Sequence, residues 1–224
     1  MTAEDLRTYG EAYYRRQTPF GRHSSVVDDI NETAHWYHGW LAYADRHLLP
    51  LEGHNRSVMD VGCGMGALLT LLNERGFRCY GLDRSTFILG QGSQVVNAQL
   101  VACDIEHGVS LRLEFDLITC FEVLEHLEYP QHALAHMFGV LAPGGTLLAS
   151  TPFPNAQARR DPTHVSLYAP RTWRWLLDQA GFANVQAHPI WCAPGIWRLG
   201  RTWSRAFPAP SHLATSILLV GGKG

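Results

Sequence analysis

The chain has 224 residues, 46% of them hydrophobic and 17% charged, with a formal net charge of −2. That is apolar residue enough for one sizeable core, and the lack of basic excess argues against a nucleic-acid partner. No run of about 18 apolar residues could span a bilayer, and the opening Met-Thr-Ala-Glu-Asp lacks a signal-peptide pattern, so a cytoplasmic chain is expected. The five cysteines form no CxxC pair, which leaves reduced core thiols as the expectation.

Residues 1–50 are aromatic-rich and read as an N-terminal helical cap. Asn31 is placed to cap a helix from Glu32 to about Leu49, ended by Pro50. Trp36, Trp40 and Tyr43 recur at intervals of three or four and form one apolar face, suited to docking on the main domain or to covering a site. From 51 to 224 strands and helices alternate. Strands are expected at Ser57–Val61, Arg78–Leu82, Ala98–Ala102, Phe115–Cys120, Gly145–Ser150, Val185–Ile190 and Ser216–Val220. Helices are expected from Ala67 to near Gly76, at Pro130–Leu141 and at Thr172–Ala180. Strands separated by helices imply βαβ units, hence an α/β fold with a parallel sheet covered on both faces. Within it, 191–210 stands out as an insertion. Trp191, Trp197 and Trp203 alternate there with Arg198, Arg201 and Arg205, which at helical spacing would make an amphipathic segment for a lid, a dimer contact or a peripheral membrane contact.

The chemistry is concentrated in Val58-Met59-Asp60-Val61-Gly62-Cys63-Gly64-Met65-Gly66. A buried strand runs into a turn with three glycines, then into a helix, and such a turn lets a nucleotide-like ligand approach the backbone closely. Gly62-x-Gly64-x-x-Ala67 formally satisfies a dinucleotide fingerprint, which keeps a nicotinamide oxidoreductase open. Three acids point elsewhere. Asp83 lies 21 residues beyond Gly62, where a carboxylate accepts from ribose hydroxyls. Asp60 could organise a cationic head, and Asp104, closing the third strand, could accept from an adenine amino group. Ribose, adenine and positive charge without phosphates describe S-adenosylmethionine.

At this point the chain resembles the class I S-adenosylmethionine-dependent methyltransferases, on Val58–Gly66, Gly81-Leu82-Asp83-Arg84-Ser85, Val101–Ile105, Phe115–Leu127 and Leu141–Thr151. The resemblance covers roughly 57–190. It implies a Rossmann-like, doubly wound seven-stranded sheet, mostly parallel with an antiparallel last strand. It places Gly62 and Gly64 at the methionine moiety, Asp83 at the ribose, Asp104 with Ile105 at the adenine, and Cys120 with Phe121 at the methionine end. Cys63, Gly66 and Arg84 fall in the same cofactor-binding segments.

After the fourth strand comes Cys120-Phe121-Glu122-Val123-Leu124-Glu125-His126-Leu127. If helical, Glu122, Glu125 and His126 share one face and could hold a divalent cation. The segment is similar to those of ubiquinone-biosynthesis O-methyltransferases and of small-RNA 3′-end 2′-O-methyltransferases, where it binds metal. His164 lies beyond the fifth strand, on the expected substrate side, and could complete such a site. Of the two histidines, His164 and then His126 are the candidate general bases. Phe153 and Tyr168 are candidate walls of the acceptor site. The expected activity is methyl transfer to an oxygen of a small-molecule acceptor. A non-catalytic cofactor-binding scaffold and a metal-dependent RNA-end methyltransferase remain as alternatives, and the sequence does not identify the acceptor or the oligomeric state.

Overall fold

The computed structural model of the chain describes residues 10–17, 20–109, 111–192 and 196–224. Parts of the expected N-terminal cap (1–9 and 18–19) and of the insertion (193–195), with the Trp197 side chain, lie outside the described residues. The chain divides into two compact units, Met1–Asp104 with Ala193–Arg205, and Ile105–Cys192 with Ala206–Gly224.

In the first unit, helices α1 (Glu11–Gln17) and α2 (Val26–His47) precede β1 (Ser57–Val61), α3 (Ala67–Glu74), β2 (Arg78–Asp83), α4 (Thr86–Gly92) and β3 (Gln99–Ala102). The strands are parallel in the order β3-β2-β1. Every residue of β1 is buried, as a central parallel strand requires. Register pairs Val61 with Leu82 and Asp83 with Ala102, so β1 and β2 deliver the glycine turn and Asp83 to the same end of the sheet.

Helix α2 starts earlier than Asn31. Its N-cap is Ser25, whose hydroxyl accepts from the Asp28 amide, and Asp28 and Asp29 occupy the first turn. These satisfy an otherwise unpaired donor and complement the helix dipole, while Asn31 is an exposed residue inside the helix. Trp40 and Tyr43 are buried and Trp36 is half-buried. The helix packs on α3 of its own unit.

The insertion is not an amphipathic α-helix. Its described part forms short 3-10 turns at Ile196–Leu199 and Arg201–Trp203 that lie on α2. The Ser204 hydroxyl accepts from the Gly39 amide and donates to the Trp36 carbonyl, each at 3.0 Å. Arg201 reaches Glu74 on α3 at 2.7 Å. Gly200 interrupts the helical pattern, and the backbone–side-chain bonds to α2 replace the hydrogen bonds a longer helix would make for itself.

The second unit contains β4 (Phe115–Phe121), α5 (Pro130–Val140), β5 (Leu141–Pro152), α6 (Pro170–Gln179), β6 (Ala183–Cys192), β7 (Ala206–Pro208) and β8 (Ser216–Gly222). Their order is β4-β5-β8-β6-β7. β4 and β5 are parallel, and β8 runs antiparallel between β5 and β6. The Pro143-Gly144-Gly145 turn is accommodated inside β5. Leu141 pairs with Phe115, but Leu117 pairs with Thr146, so the turn bulges from the ladder.

The architecture is an open Rossmann-like α/β sheet, parallel in its first strands and antiparallel towards the C-terminus. It has eight strands among the described residues where seven were expected. The additional one is β7, whose three residues pair with the end of β6. Pro208 within it has no N–H to give, which suits a short edge strand. No helix among the described residues is long and apolar enough to cross a membrane.

The corrected helix start is directly testable by urea unfolding. Ser25→Ala is expected to cost about 1 kcal/mol by removing the cap, whereas Asn31→Ala leaves the midpoint within the error of the measurement.

Candidate functional site

In the first unit the site is built around a buried carboxylate. Asp83 is the last residue of β2 and is 6% exposed. Its Oδ2 accepts from the Gly64 amide at 2.9 Å. Oδ1 accepts from the Ser85 amide at 2.8 Å and from the Tyr14 hydroxyl at 3.1 Å. Burial raises the Asp83 pKa, and these three donors, with Arg84, oppose the shift. Ser85 also caps α4, so β2 ends, the carboxylate is held and the next helix begins within three residues.

Gly62, Gly64 and Gly66 all have positive φ (73°, 53° and 88°), backbone that favours glycine. A side chain at Gly64 would meet nothing within 4 Å, whereas one at Gly66 would meet Val96 at 3.0 Å, so the turn is open at Gly64. Its amides are engaged inside. Gly62 and Cys63 both donate to the Leu82 carbonyl, Gly64 to Asp83, and Gly66 to the Cys63 carbonyl. A pyrophosphate would need such amides as its donors. What the turn offers is a bare surface beside a carboxylate.

The other predicted cofactor residues of this unit lie nearby in the chain but have different surroundings. Asp60 is buried in β1, 3% exposed. Cys63 is buried, and its thiol is pushed well above the usual range by burial and then by the Asp83 and Asp60 charges. Arg84 and Asp104 face each other at 3.9 Å, at the long limit of an ion pair. Tyr14, 69 residues before Asp83, was not among the sequence candidates. No motif or spacing links it to the carboxylate.

Ile105, Cys120 and Phe121 belong to the second unit. Ile105 is buried and its carbonyl lies 2.8 Å from His136 Nδ1. Cys120 and Phe121 are the buried last residues of β4.

The same unit carries the acid and histidine residues. Glu122, Glu125 and His126 do not share an α-helix. Glu122 has φ 56°, and only Leu124–His126 form a 3-10 turn. Glu122 is therefore turned away from the expected helical face. Its amide donates to the Ser150 hydroxyl and carbonyl, and its Oε1 accepts from the same hydroxyl at 3.0 Å. Burial pushes its carboxyl up to about 7.

His164 joins Glu125 and His126 instead, with one potential ligand atom of each within 4.8 Å of the others. The loop reaches them because the amides of Val165 and Ser166 both donate to the Glu125 carbonyl. The rings of His126 and His164 lie 4.9 Å apart. His126 Nδ1 lies 3.2 Å from the Thr163 carbonyl and His164 Nδ1 lies 2.8 Å from the Ala158 carbonyl. A carbonyl can only accept, so these contacts place a proton on Nδ1 of each ring. Burial, then His164, holds His126 down at about 4. Glu125 is fully buried and neither carboxylate oxygen has a hydrogen-bond partner. Burial and Glu122 raise its pKa. Its own backbone N–H and the Thr151 hydroxyl oppose this rise without overcoming it. Of the candidate acceptor walls, Phe153 is half-buried, and Tyr168 packs its ring 5.1 Å from that of buried Trp173.

A family model described as a methyltransferase domain matches residues 34–187. The chain belongs to this methyltransferase family. Its superfamily is that of the class I S-adenosylmethionine-dependent methyltransferases. Membership sets aside the nicotinamide alternative, in accord with the engaged turn amides. The ubiquinone biosynthesis O-methyltransferase of Coxiella burnetii is 34% identical over 116 residues, 50% of this chain and 48% of that protein. The chain thus spans about half the length of the curated relatives it matches. Two solved structures share the fold. A SAM-dependent methyltransferase from Archaeoglobus fulgidus has a TM-score of 0.63 at 20% identity, covering 81% of this chain and 92% of that one. Magnesium protoporphyrin IX methyltransferase from Synechocystis PCC 6803, with bound SAM, has a TM-score of 0.62 at 20% identity, covering 99% and 96%.

Within this methyltransferase Cys63 is a packing thiol, because a group kept protonated is a poor nucleophile. Iodoacetamide at pH 8 is expected to leave Cys63 unmodified in the native protein and to alkylate it in denaturant, read by peptide mass spectrometry. Native alkylation of Cys63 contradicts the burial described.

Proposed function

We propose that this protein is an enzyme that transfers the methyl group of S-adenosylmethionine to a hydroxyl oxygen of a small molecule. The donor half rests on one observation above all. A buried carboxylate ends β2 and is fixed by the amide of Gly64, where the glycine turn is open. In this reading Asp83 accepts from the ribose, Gly62, Cys63, Gly64 and Gly66 provide the bare surface beneath the methionine part, and Asp60 faces its positive charge. Asp104, Arg84 and Ile105 serve the adenine, and Cys120 and Phe121 the methionine end. When bound, the cofactor supplies a methyl group already carried on a good leaving group. The chain has to align the acceptor and exclude water.

The acceptor half is supported by the O-methyltransferase relatives and by the chemistry of Glu125, His126 and His164. A base working near neutral pH needs a pKa near that range. His126, held down at about 4, is poorly matched to that task, which leaves His164 as the base. Glu125, His126 and His164 also fit a divalent cation. The Glu125 carboxyl lies 3.8 Å from His126 Nε2 without a close hydrogen bond, and with each Nδ1 at a carbonyl a neutral ring carries its lone pair on Nε2. Bound there, a cation would lower the pKa of the acceptor hydroxyl.

Asp83→Ala tests the donor half. Loss of a charged acceptor is expected to weaken S-adenosylhomocysteine binding by about tenfold to a hundredfold in calorimetry, and unchanged affinity would remove the assignment. For the acceptor half, labelled methyl transfer to a panel of phenols and catechols is expected to put the label on oxygen. Chelation followed by Mg²⁺ or Zn²⁺ separates the two roles of the histidines. Restored activity that Glu125→Gln abolishes assigns the cation, and chelator-insensitive activity lost in His164→Ala assigns the base. Cofactor binding with no transfer to any acceptor would support the scaffold alternative.

A further inference from the structure

The segment before α2 folds back onto the end of β2. Tyr14, on α1, is buried and donates its hydroxyl to Asp83 Oδ1. Phe20 is also buried and meets Phe87 of α4 edge-on, with ring centroids 5.6 Å apart. The turn between them and α2 is held by Asp29, 2% exposed, which accepts from the amides of Gly21 and His23 at 2.6 and 3.0 Å. This strap is therefore attached to the ribose carboxylate and to the helix that follows it.

An ionised carboxylate has about four acceptor positions. Three are filled on Asp83, by Ser85, Tyr14 and Gly64. Two of those donors are backbone amides fixed by the sheet end and by α4. A ribose with two neighbouring hydroxyls, both donating to this carboxylate, needs two positions and finds one. The Tyr14 hydroxyl is the only donor of the three on a side chain, and it comes from a helix outside the sheet.

We propose that Tyr14 competes with the cofactor for Asp83: its hydroxyl occupies the acceptor position that the second ribose hydroxyl takes, and α1 releases the carboxylate when the cofactor binds. Tyr14 thereby sets cofactor affinity and couples the N-terminal strap to occupancy. The inference rests on the assignment of Asp83 to the ribose.

The test is calorimetric binding of S-adenosylhomocysteine and its 2′-deoxy analogue to the full chain and to its Tyr14→Phe variant, which keeps the buried ring. The variant is expected to bind S-adenosylhomocysteine about three- to tenfold tighter. Deleting the 2′-hydroxyl is expected to cost it at least about threefold more affinity than it costs the parent, because only the parent can restore the Tyr14 hydrogen bond when that hydroxyl is missing. Amide hydrogen exchange within 10–17 is expected to rise when the parent binds S-adenosylhomocysteine. Equal or weaker binding by Tyr14→Phe, an equal penalty for the deoxy analogue, or added protection of 10–17 on binding would overturn the competition. A lack of binding by both proteins would instead overturn the ribose assignment of Asp83, and the proposal with it.

Discussion

The first unit depends on how the charge of Asp83 is accommodated at the end of β2. A carboxylate this buried is costly unless it receives hydrogen bonds. The donors that meet this requirement come from the glycine turn, from the start of α4 and from α1. Satisfying one side chain thus positions the turn after β1, begins the next helix and draws the N-terminal strap onto the sheet. The Leu82 carbonyl, just before it, fixes Gly62 and Cys63 in the same way. The turn is shaped by β2 as much as by its own glycines.

Glu125 is the opposite case. It is as buried as any described residue of the second unit, yet its oxygens make no close hydrogen bond, and only its own backbone N–H and the Thr151 hydroxyl oppose the effect of burial. Such a carboxyl is stable only if it holds a proton or faces a positive charge. Two imidazoles with their Nε2 lone pairs beside it offer no charge while neutral, and His126 is held neutral by the same burial. Burial thus favours the protonated, uncharged carboxyl at Glu125. The left-handed backbone at Glu122 is a further constraint, since a non-glycine residue in that conformation persists only where its surroundings enforce it. The two hydrogen bonds of its amide to Ser150 are that enforcement.

Much of this was legible in the sequence, and the misses have physical reasons. Ser25 followed by Asp28 is itself an N-terminal helix signature. The aromatic periodicity begins only after Asn31, so that pattern by itself points to a later start. The strand β7 has three residues and exists by virtue of its partner, so no periodicity announces it. Assigning Glu122, Glu125 and His126 to one face presumed a helix. The backbone at Glu122 instead follows the pull of Ser150 from a strand 28 residues on. His164 could be nominated as a further histidine, but its place beside His126 depends on the loop amides that bind the Glu125 carbonyl.

Alternating apolar and turn segments were enough to specify a Rossmann-like α/β chain, and the glycine turn with three strand-end acids was enough to suggest the methyl donor. Both are local properties: strand periodicity, positive-φ glycines and a fixed distance from one strand end to the next. What only the tertiary structure decided is which groups share those acids. Tyr14 on Asp83 and His164 beside Glu125 are contacts made by distant segments returning to a strand end. They are chosen by burial and by unsatisfied hydrogen-bond capacity, which no local pattern encodes.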